Sequence, residues 1–531
     1  MNQILLFIGL VIILCLTIKP VGKKLPFPTL LIFIALGMLL GVNGPAHIDF
    51  SDYALTETVC STALLFIMFY GGFNTNIDRA KPVAVPAVLL STLGVVITAG
   101  ITGVFAHFAL GFDWIDGLLL GSVVASTDAA SVFSVLREHS LSLRGGTDSL
   151  LEVESGSNDP VAYMLTAVLA TLAAGGDINI PALLAKQIIL GVGLGLAIAA
   201  GRLIERAHAT AEGAQTIFLF AVAIVAYALP SYLGGNGFLA VYLAGIVLGA
   251  SDITGKVEMA HFFDTLTEMA EMTIFFLLGL LVTPARLPQM LLPSLALMAF
   301  MLFVSRPIAV GVLLAPFKTN PRQVALVSWA GLRGVASVVF GLFAVVAGVP
   351  GGHDLFDLVF VIAVSSIVVQ GSLLPAVAKK LDMIDETGDV RRTFNDYRDE
   401  DGMSFVKLKV GAGHPFAGRS LADIGSATDM LVVLVLRDGA HPVLPNGDTV
   451  IQEGDLLVMA APTFEERAEV TLREVTVTPH GRLAGQRLRD VPQGKHPFIV
   501  VMLKREGQTI IPDGDTLIYA GDEAVIATLA S

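Results

Sequence analysis

Apolar stretches long enough to cross a membrane recur from the N-terminus to about residue 380, and they rule out a soluble fold over that length. Roughly 20 helical residues span the ~30 Å hydrocarbon core of a bilayer. Thirteen candidates fall near 2–18, 25–41, 54–71, 82–108, 113–136, 150–174, 180–201, 214–232, 235–250, 257–282, 289–316, 322–347 and 354–378. Backbone polar groups in hydrocarbon must be satisfied within the segment, so helices are the expected form. Composition agrees: 54% of residues are hydrophobic and 15% charged, with a mean hydropathy of +0.74, well outside soluble usage.

Loop charges orient these stretches, because cytoplasmic loops retain Lys and Arg. The loops after the odd-numbered stretches hold Lys19, Lys23, Lys24, Arg79, Lys81, Arg137, Arg144, Arg202, Arg206, Lys256, Lys318, Arg322, Lys379 and Lys380, whereas the other side holds Lys186 and Arg286. A miscount by one stretch would scramble that pattern. The N-terminus is therefore expected outside and the C-terminus in the cytoplasm of a plasma (inner) membrane. The first stretch lacks a positive leader and a small-residue cleavage site, so it reads as a retained helix.

Several chemistries find no support. Cys15 and Cys60 both lie in apolar stretches and suit neither a disulfide framework nor a zinc site, and the ten histidines are scattered. Gly255-Lys256-Val257 fails as a phosphate-binding loop, which argues against ATP-driven pumping. Gly411-Ala-Gly413 lacks the remaining glycine of a dinucleotide fold, and Gly191-Val-Gly-Leu-Gly195 suits close helix packing better than phosphate binding. No nucleophile–base signature of an enzyme occurs, and no Thr-Val-Gly-Tyr-Gly filter of a cation channel. Neither an enzyme nor a cofactor is expected. The net charge of −13 is read as solubility of the C-terminal part, with no nucleic-acid partner.

Against this background one segment stands out, Leu151-Glu-Val-Glu-Ser-Gly-Ser-Asn-Asp-Pro-Val-Ala162, which carries Glu152, Glu154 and Asp159. Charge in hydrocarbon is costly, and an ionisable group there marks an ion path or proton relay by default. Withdrawal from water favours the neutral form of a carboxyl group, so a proton and a cation compete for one site. If that site faces one side of the membrane at a time, each ion drives the other. Asp159 precedes Pro160, and Asp128 sits in Ser126-Thr127-Asp128 among small residues; both are places where a helix is easily interrupted, freeing carbonyls for a dehydrated ion. The blander alternative is that Asp128 and Asp159 merely cap helices.

Arg306 and Arg333 also lie in apolar stretches and need partners. Glu154 is the natural mate of Arg306 in a structural ion pair. Arg333, in Gly331-Leu-Arg-Gly334, either compensates half-helix ends or lines the path. Glu57, and Asp264, Glu268 and Glu271 on one helical face, suit an entry funnel or a solvated face equally. An echo of Ala130-Ser-Val132 in Ala336-Ser-Val338 fits inverted repeats.

From Leu381 the character changes. Residues 382–402 are acidic and read as a solvated linker. A duplication follows: Ala417-Gly-Arg-Ser-Leu-Ala-Asp423 is echoed by Ala484-Gly-Gln-Arg-Leu-Arg-Asp490, and Pro445-Asn-Gly-Asp-Thr-Val-Ile-Gln-Glu-Gly-Asp455 by Pro512-Asp-Gly-Asp-Thr-Leu-Ile-Tyr-Ala-Gly-Asp522. Each copy reads as a short helix, a strand (431–436; 498–503), a turn at Gly439 or Gly507, and further strands. The expected division is a transmembrane exchange domain at 1–381, the linker at 382–402, and lobes at 403–465 and 471–531. The fold class is an α-helical polytopic membrane protein, with about 13 transmembrane helices, inverted repeats and broken crossing helices, plus a small cytoplasmic α+β tail of two repeated lobes.

Ser126-Thr-Asp128, Glu154-Ser-Gly-Ser-Asn-Asp-Pro160, Ser305-Arg-Pro307, Gly331-Leu-Arg-Gly334 and Val369-Gln-Gly371 together resemble the monovalent cation/proton antiporters of the NhaP branch. The tail resembles the C-terminal lobe of potassium-regulating RCK (TrkA-C) modules, without their nucleotide-binding lobe. The resemblance implies Asp159 as the shared carrier of cation and proton, with Asp128, Ser155, Asn158 and the Thr127 carbonyl around an alkali cation held at Asp159 and Asp128. Related antiporters of another branch have a second Asp at the position of Asn158, and the neutral amide implies electroneutral, one-for-one exchange. It further implies potassium, or sodium, leaving against entering protons, a homodimer, and a regulatory tail with a small-molecule ligand. A gated cation channel, and a sodium/proton antiporter with a purely structural tail, remain the alternatives.

Overall fold

The computed structural model describes residues 9–17, 30–41, 44, 47–75, 77–138, 141–200, 214–251 and 256–385, and in the tail 403–411, 414, 416–422, 431–437, 441–443, 445–462, 470–478, 483–491, 498–505, 508–510 and 516–529. The chain divides into two compact units, Met1–Arg398 and Asp399–Ser531. Lys19, Lys23, Lys24, Arg202 and Arg206, the turns at Gly439 and Gly507, and the acidic linker beyond Asp385 lie outside the described residues.

The first unit is helical. Its helices are α1 (Leu30–Leu40), α2 (Tyr53–Asn74), α3 (Lys81–Leu110), α4 (Trp114–Val123), α5 (Ala129–Glu138), α6 (Thr147–Ala173), α7 (Ile180–Ala200), α8 (Ala214–Tyr232), α9 (Gly237–Ala250), α10 (Lys256–Leu281), α11 (Leu287–Phe317), α12 (Pro321–Trp329), α13 (Val335–Val346) and α14 (Gly352–Lys380). Among the described residues, six of them (α2, α3, α7, α8, α11 and α14) are long and apolar enough to cross a membrane, and α1, α4, α9 and α13 are shorter apolar helices. Local sequence sets their ends. Asp52, Asn236 and Asn320 accept backbone N–H groups at the starts of α2, α9 and α12, as short polar N-caps do. Gly111, at φ 74°, closes α3 in the left-handed conformation. Three long helices each widen for one π-turn, at Leu90–Gly94, Met301–Ser305 and Ile367–Gly371.

Two chain segments are helix pairs split by non-helical backbone, α4/α5 across residues 124–128 and α12/α13 across 330–334. The first coincides with Ser126-Thr127-Asp128 and the second with Gly331-Leu-Arg-Gly334. The interruption expected beside Asp159 does not occur, because α6 runs unbroken through Pro160. Pro160 withholds the N–H that would serve the Gly156 carbonyl, and its own carbonyl accepts Asn236 Nδ2 at 2.7 Å.

Small residues let these helices approach closely, as in membranes generally. A Cβ on Gly191 or Gly195 of α7 would press on the Asn236 or Ala240 carbonyls at 3.0 and 2.7 Å, so that glycine run is a packing face against α9. Phe108, Ile217, Leu292 and Phe303 are about 70–80% exposed, an apolar exterior that suits lipid. A second buried cluster joins α3, α5 and α6 to α11, α12 and α14, and takes in Leu143 and Met383. There the chain leaving α14 is tied back beside the start of α6. Arg144 N donates to Met383 O and Asp385 N to Ser142 O, each at 2.8 Å, and the Asp382 carboxylate pairs with Arg144 at 2.9 Å and Arg322 at 3.0 Å.

The tail contains two antiparallel four-stranded sheets. β1 (Met403–Lys409), β2 (Leu431–Arg437), β3 (His441–Val443) and β4 (Leu456–Pro462) pair in the order β1-β4-β2-β3, and β5 (Val470–Thr476), β6 (Phe498–Arg505), β7 (Gln508–Ile510) and β8 (Glu523–Leu529) repeat it as β5-β8-β6-β7. The duplication extends to detail. Arg437 grips Asp455 at 3.0 and 2.9 Å, and Arg505 grips Asp522 at 2.8 and 2.7 Å. Gly454 and Gly521 turn at φ 93° and 94° just before each aspartate. The buried cores are Val410, Val435, Ile451 and Leu457 in one copy and Val477, Val500, Leu503 and Ile518 in the other.

Candidate functional site

The break between α4 and α5 faces α6. Ser155 Oγ donates to the Thr127 carbonyl at 2.6 Å, Asn158 Nδ2 donates to Thr127 Oγ1, and Ser126 Oγ donates to Asp159 Oδ1. Thr127, Ser155, Asn158 and Asp159 thus meet at one spot, brought together by successive turns of one helix and the unwound end of another. The Thr127 carbonyl thus accepts from Ser155, and a carbonyl oxygen carries two lone pairs.

Asp128 caps α5. Its Oδ1 accepts Ser131 N at 3.2 Å and its Oδ2 accepts Ser131 Oγ at 2.5 Å, while its own N–H donates to Leu332 O at 2.8 Å across to the second break. It stands next to the cluster in sequence and also performs the capping job that the sequence left open as an alternative. Asp159 differs. It is partly exposed, and among the described residues no basic side chain pairs with it; the Ser126 hydroxyl donates to it.

The two buried arginines have distinct partners. Arg306 Nη2 lies 2.8 Å from Glu154 Oε2, with both side chains almost wholly buried, which links α11 to α6. Arg333 Nη1 donates to the carbonyls of Ala125 and Ser126 at 2.9 and 2.8 Å. These acceptors are backbone groups that the broken helix leaves without intrahelical partners, and in hydrocarbon each would be costly if unsatisfied. The guanidinium therefore sits at the half-helix end. Gly331 and Gly334 leave the room this requires: a Cβ on Gly331 would stand 2.8 Å from Arg306 Nε, and one on Gly334 would overlap the Asp128 carboxylate.

The sequence reading missed Ser126 as a partner of Asp159, and Asn236, whose amide meets the Pro160 carbonyl. The funnel candidates lie elsewhere: Tyr70 hydroxyl donates to Asp264 of α10 at 3.3 Å, and Ser61 donates to Glu57 within α2 at 2.7 Å.

Two crossing broken helices around a membrane-embedded carboxylate define a secondary transporter, in which half-helix ends and freed carbonyls handle ions. Residues 9–380 match the family model for the transmembrane sodium/hydrogen exchanger, and residues 405–463 and 472–531 each match the TrkA-C domain. The K(+)/H(+) antiporter NhaP2 of Shewanella sp. strain MR-4 is 34% identical over 469 residues, covering 86% of this chain and 80% of that one. The K(+)/H(+) antiporter NhaP of Alkalimonas amylolytica is 34% identical over 465 residues, covering 85% and 81%. Among solved structures, the sodium proton antiporter MjNhaP1 from Methanocaldococcus jannaschii superposes with a TM-score of 0.63 at 23% identity, covering 72% of this chain and 99% of that one; this is a likeness of fold. The chain belongs to the sodium/hydrogen exchanger family and is a cation/proton antiporter with a TrkA-C tail.

Proposed function

We propose that this antiporter moves potassium out against entering protons, one for one, with Asp159 as the shared carrier. The observation that carries the reading is the setting of Asp159 beside the α4/α5 break, with the Ser126 hydroxyl and, among the described residues, no basic partner. Such a carboxylate is free to exchange a proton for a metal ion. Ser155, Asn158, the Thr127 carbonyl and Asp128 contribute oxygen to a hard alkali cation.

Electroneutrality follows from charge bookkeeping at the site. Asp159 carries either one proton or one monovalent cation, so each cycle moves equal charge in opposite directions, whatever fixed charge surrounds the site. Asn158 adds no second titrating group. The choice of potassium rests on the names of the relatives at 34% identity. The charge asymmetry of the loops supports an N-terminus outside and a tail in the cytoplasm of a plasma membrane. We further read residues 1–381 as the exchange domain, the lobes at 403–465 and 471–531 as a regulator that takes a small ligand, and the working unit as a homodimer.

The test is proton movement in proteoliposomes challenged in turn with potassium, sodium, lithium and rubidium. Exchange with potassium and rubidium that leaves no membrane potential supports the reading. Exchange confined to sodium and lithium removes potassium from it, and a potential that builds with transport removes electroneutrality.

A further inference from the structure

The second break is braced from α14 by two buried side chains that nothing above assigns to the exchange reaction. In the π-turn Ile367–Gly371, Gln370 Nε2 donates to the Trp329 carbonyl, the last of α12, at 2.9 Å, and the Trp329 indole returns a bond to the Gln370 carbonyl at 3.1 Å. Gln370 Oε1 accepts Ser366 Oγ at 2.5 Å, and that hydroxyl accepts the Arg333 N–H at 2.9 Å. Ser366 and Gln370 are 0% and 3% exposed. One glutamine thus fixes both edges of the break, through the carbonyl that ends α12 and, by way of Ser366, through the backbone of Arg333.

From Arg333 the same line continues to the Ala125 and Ser126 carbonyls, and from Ser126 Oγ to Asp159. We infer that Gln370 and Ser366 are positioning residues of the cation site, acting through Arg333 to hold the Ser126–Thr127 backbone at the spacing a bound cation needs. A π-turn is a costly irregularity that concentrates at functional sites, and Gln370 lies within this one, one turn beyond Ser366. The inference rests on Asp159 being the shared carrier.

The consequence is a selective loss. The proton on Asp159 needs one oxygen, whereas a cation needs several oxygens at set distances, so a displaced backbone weakens cation binding more than protonation. Losing one such buried hydrogen bond corresponds to about a tenfold change. Because cation and proton compete, a tenfold weaker cation at saturating concentration shifts the acid limb of the pH–activity profile upward by about one unit.

The experiment uses the full chain in proteoliposomes with potassium, alongside thermal melting of the purified variants. Ser366→Ala and Gln370→Met, the latter close in shape, are each expected to raise the apparent KM about tenfold, to move the acid limb upward, and to leave the maximal rate within a factor of two. Ser366→Thr, which keeps the hydroxyl, is expected to restore wild-type values. The double variant is expected to be no worse than the worse single, since both residues lie on one relay. Wild-type KM and pH profile in folded Ser366→Ala and Gln370→Met protein, no restoration by Ser366→Thr, or effects that multiply in the double variant, each overturns the relay. Exchange persisting in Asp159→Asn in the same vesicles overturns the carrier reading instead.

Discussion

The carboxylate of Asp128 fills the space where a Cβ on Gly334 would stand. Each broken helix is shaped around a group belonging to the other: Asp128 caps its own half-helix beside Gly334, and Arg333 in turn closes the carbonyls at 125 and 126. Gly334→Ala must push the carboxylate off Ser131 or spread the crossing. Exchange by this variant is expected to fall at least tenfold in proteoliposomes, with a lower melting temperature, whereas Gly193→Ala, whose added methyl meets nothing within 4 Å, should match wild type in both.

Glu154 and Arg306 form a pair with both side chains almost wholly buried. Removing one member leaves an uncompensated charge and costs roughly 3–5 kcal/mol, while replacing both by apolar residues of similar size is often neutral. Thermal unfolding in detergent should therefore show Arg306→Met alone to be strongly destabilised, and Glu154→Leu combined with Arg306→Met to recover most of the loss. Equal destabilisation in the single and double variants would contradict a purely structural pairing.

The breaks were partly legible in the sequence. Ser126-Thr-Asp128 and Gly331-Leu-Arg-Gly334 advertised themselves, because a polar group or a glycine pair inside an apolar run has few other reasons to be there. The break expected at Asp159-Pro160 was a false signal: a proline withholds one N–H and weakens a helix, yet α6 continues through it. The role of Arg333 is set from afar, by the Ala125 and Ser126 carbonyls 208 and 207 residues away in sequence. Ser126 and Gln370 stand out in the sequence only as members of short motifs and Ser366 does not stand out at all, since only the fold shows which polar side chains face a broken end.

In the tail, hydrogen bonds from Arg437 hold the Asp455 carboxyl below its usual range, and Arg505 does the same for Asp522. A carboxyl whose pKa is depressed by folding adds stability that is present above its unfolded value, near 3.8, and is lost as pH falls through the folded value. Hydrogen-exchange protection of β4 and β8 in the full chain should hold from pH 7 to about pH 4 and drop below it. Asp455→Asn should remove that acid-dependent loss from β4 while leaving β8 unchanged.

At the exit of α14, the ion pairs of Asp382 are largely exposed and contribute at most about 1 kcal/mol each. Met383 is 4% exposed, and burying such a side chain contributes on the order of 2 kcal/mol, beside two backbone bonds to residues 142 and 144. A chain cut after Asp385 is therefore expected to exchange ions with an unchanged melting temperature. One cut after Leu381 should melt several degrees lower, and melting curves of the two truncations decide between them.

The most direct measurement is potassium-driven proton release from proteoliposomes containing Asp159→Asn, compared with wild type at equal protein density across pH 6 to 9. The asparagine keeps the shape and the Ser126 contact but can neither ionise nor hand over a proton. Flux indistinguishable from empty vesicles at every pH is the predicted result; exchange at the wild-type rate at any pH in that range would contradict the carrier role of Asp159.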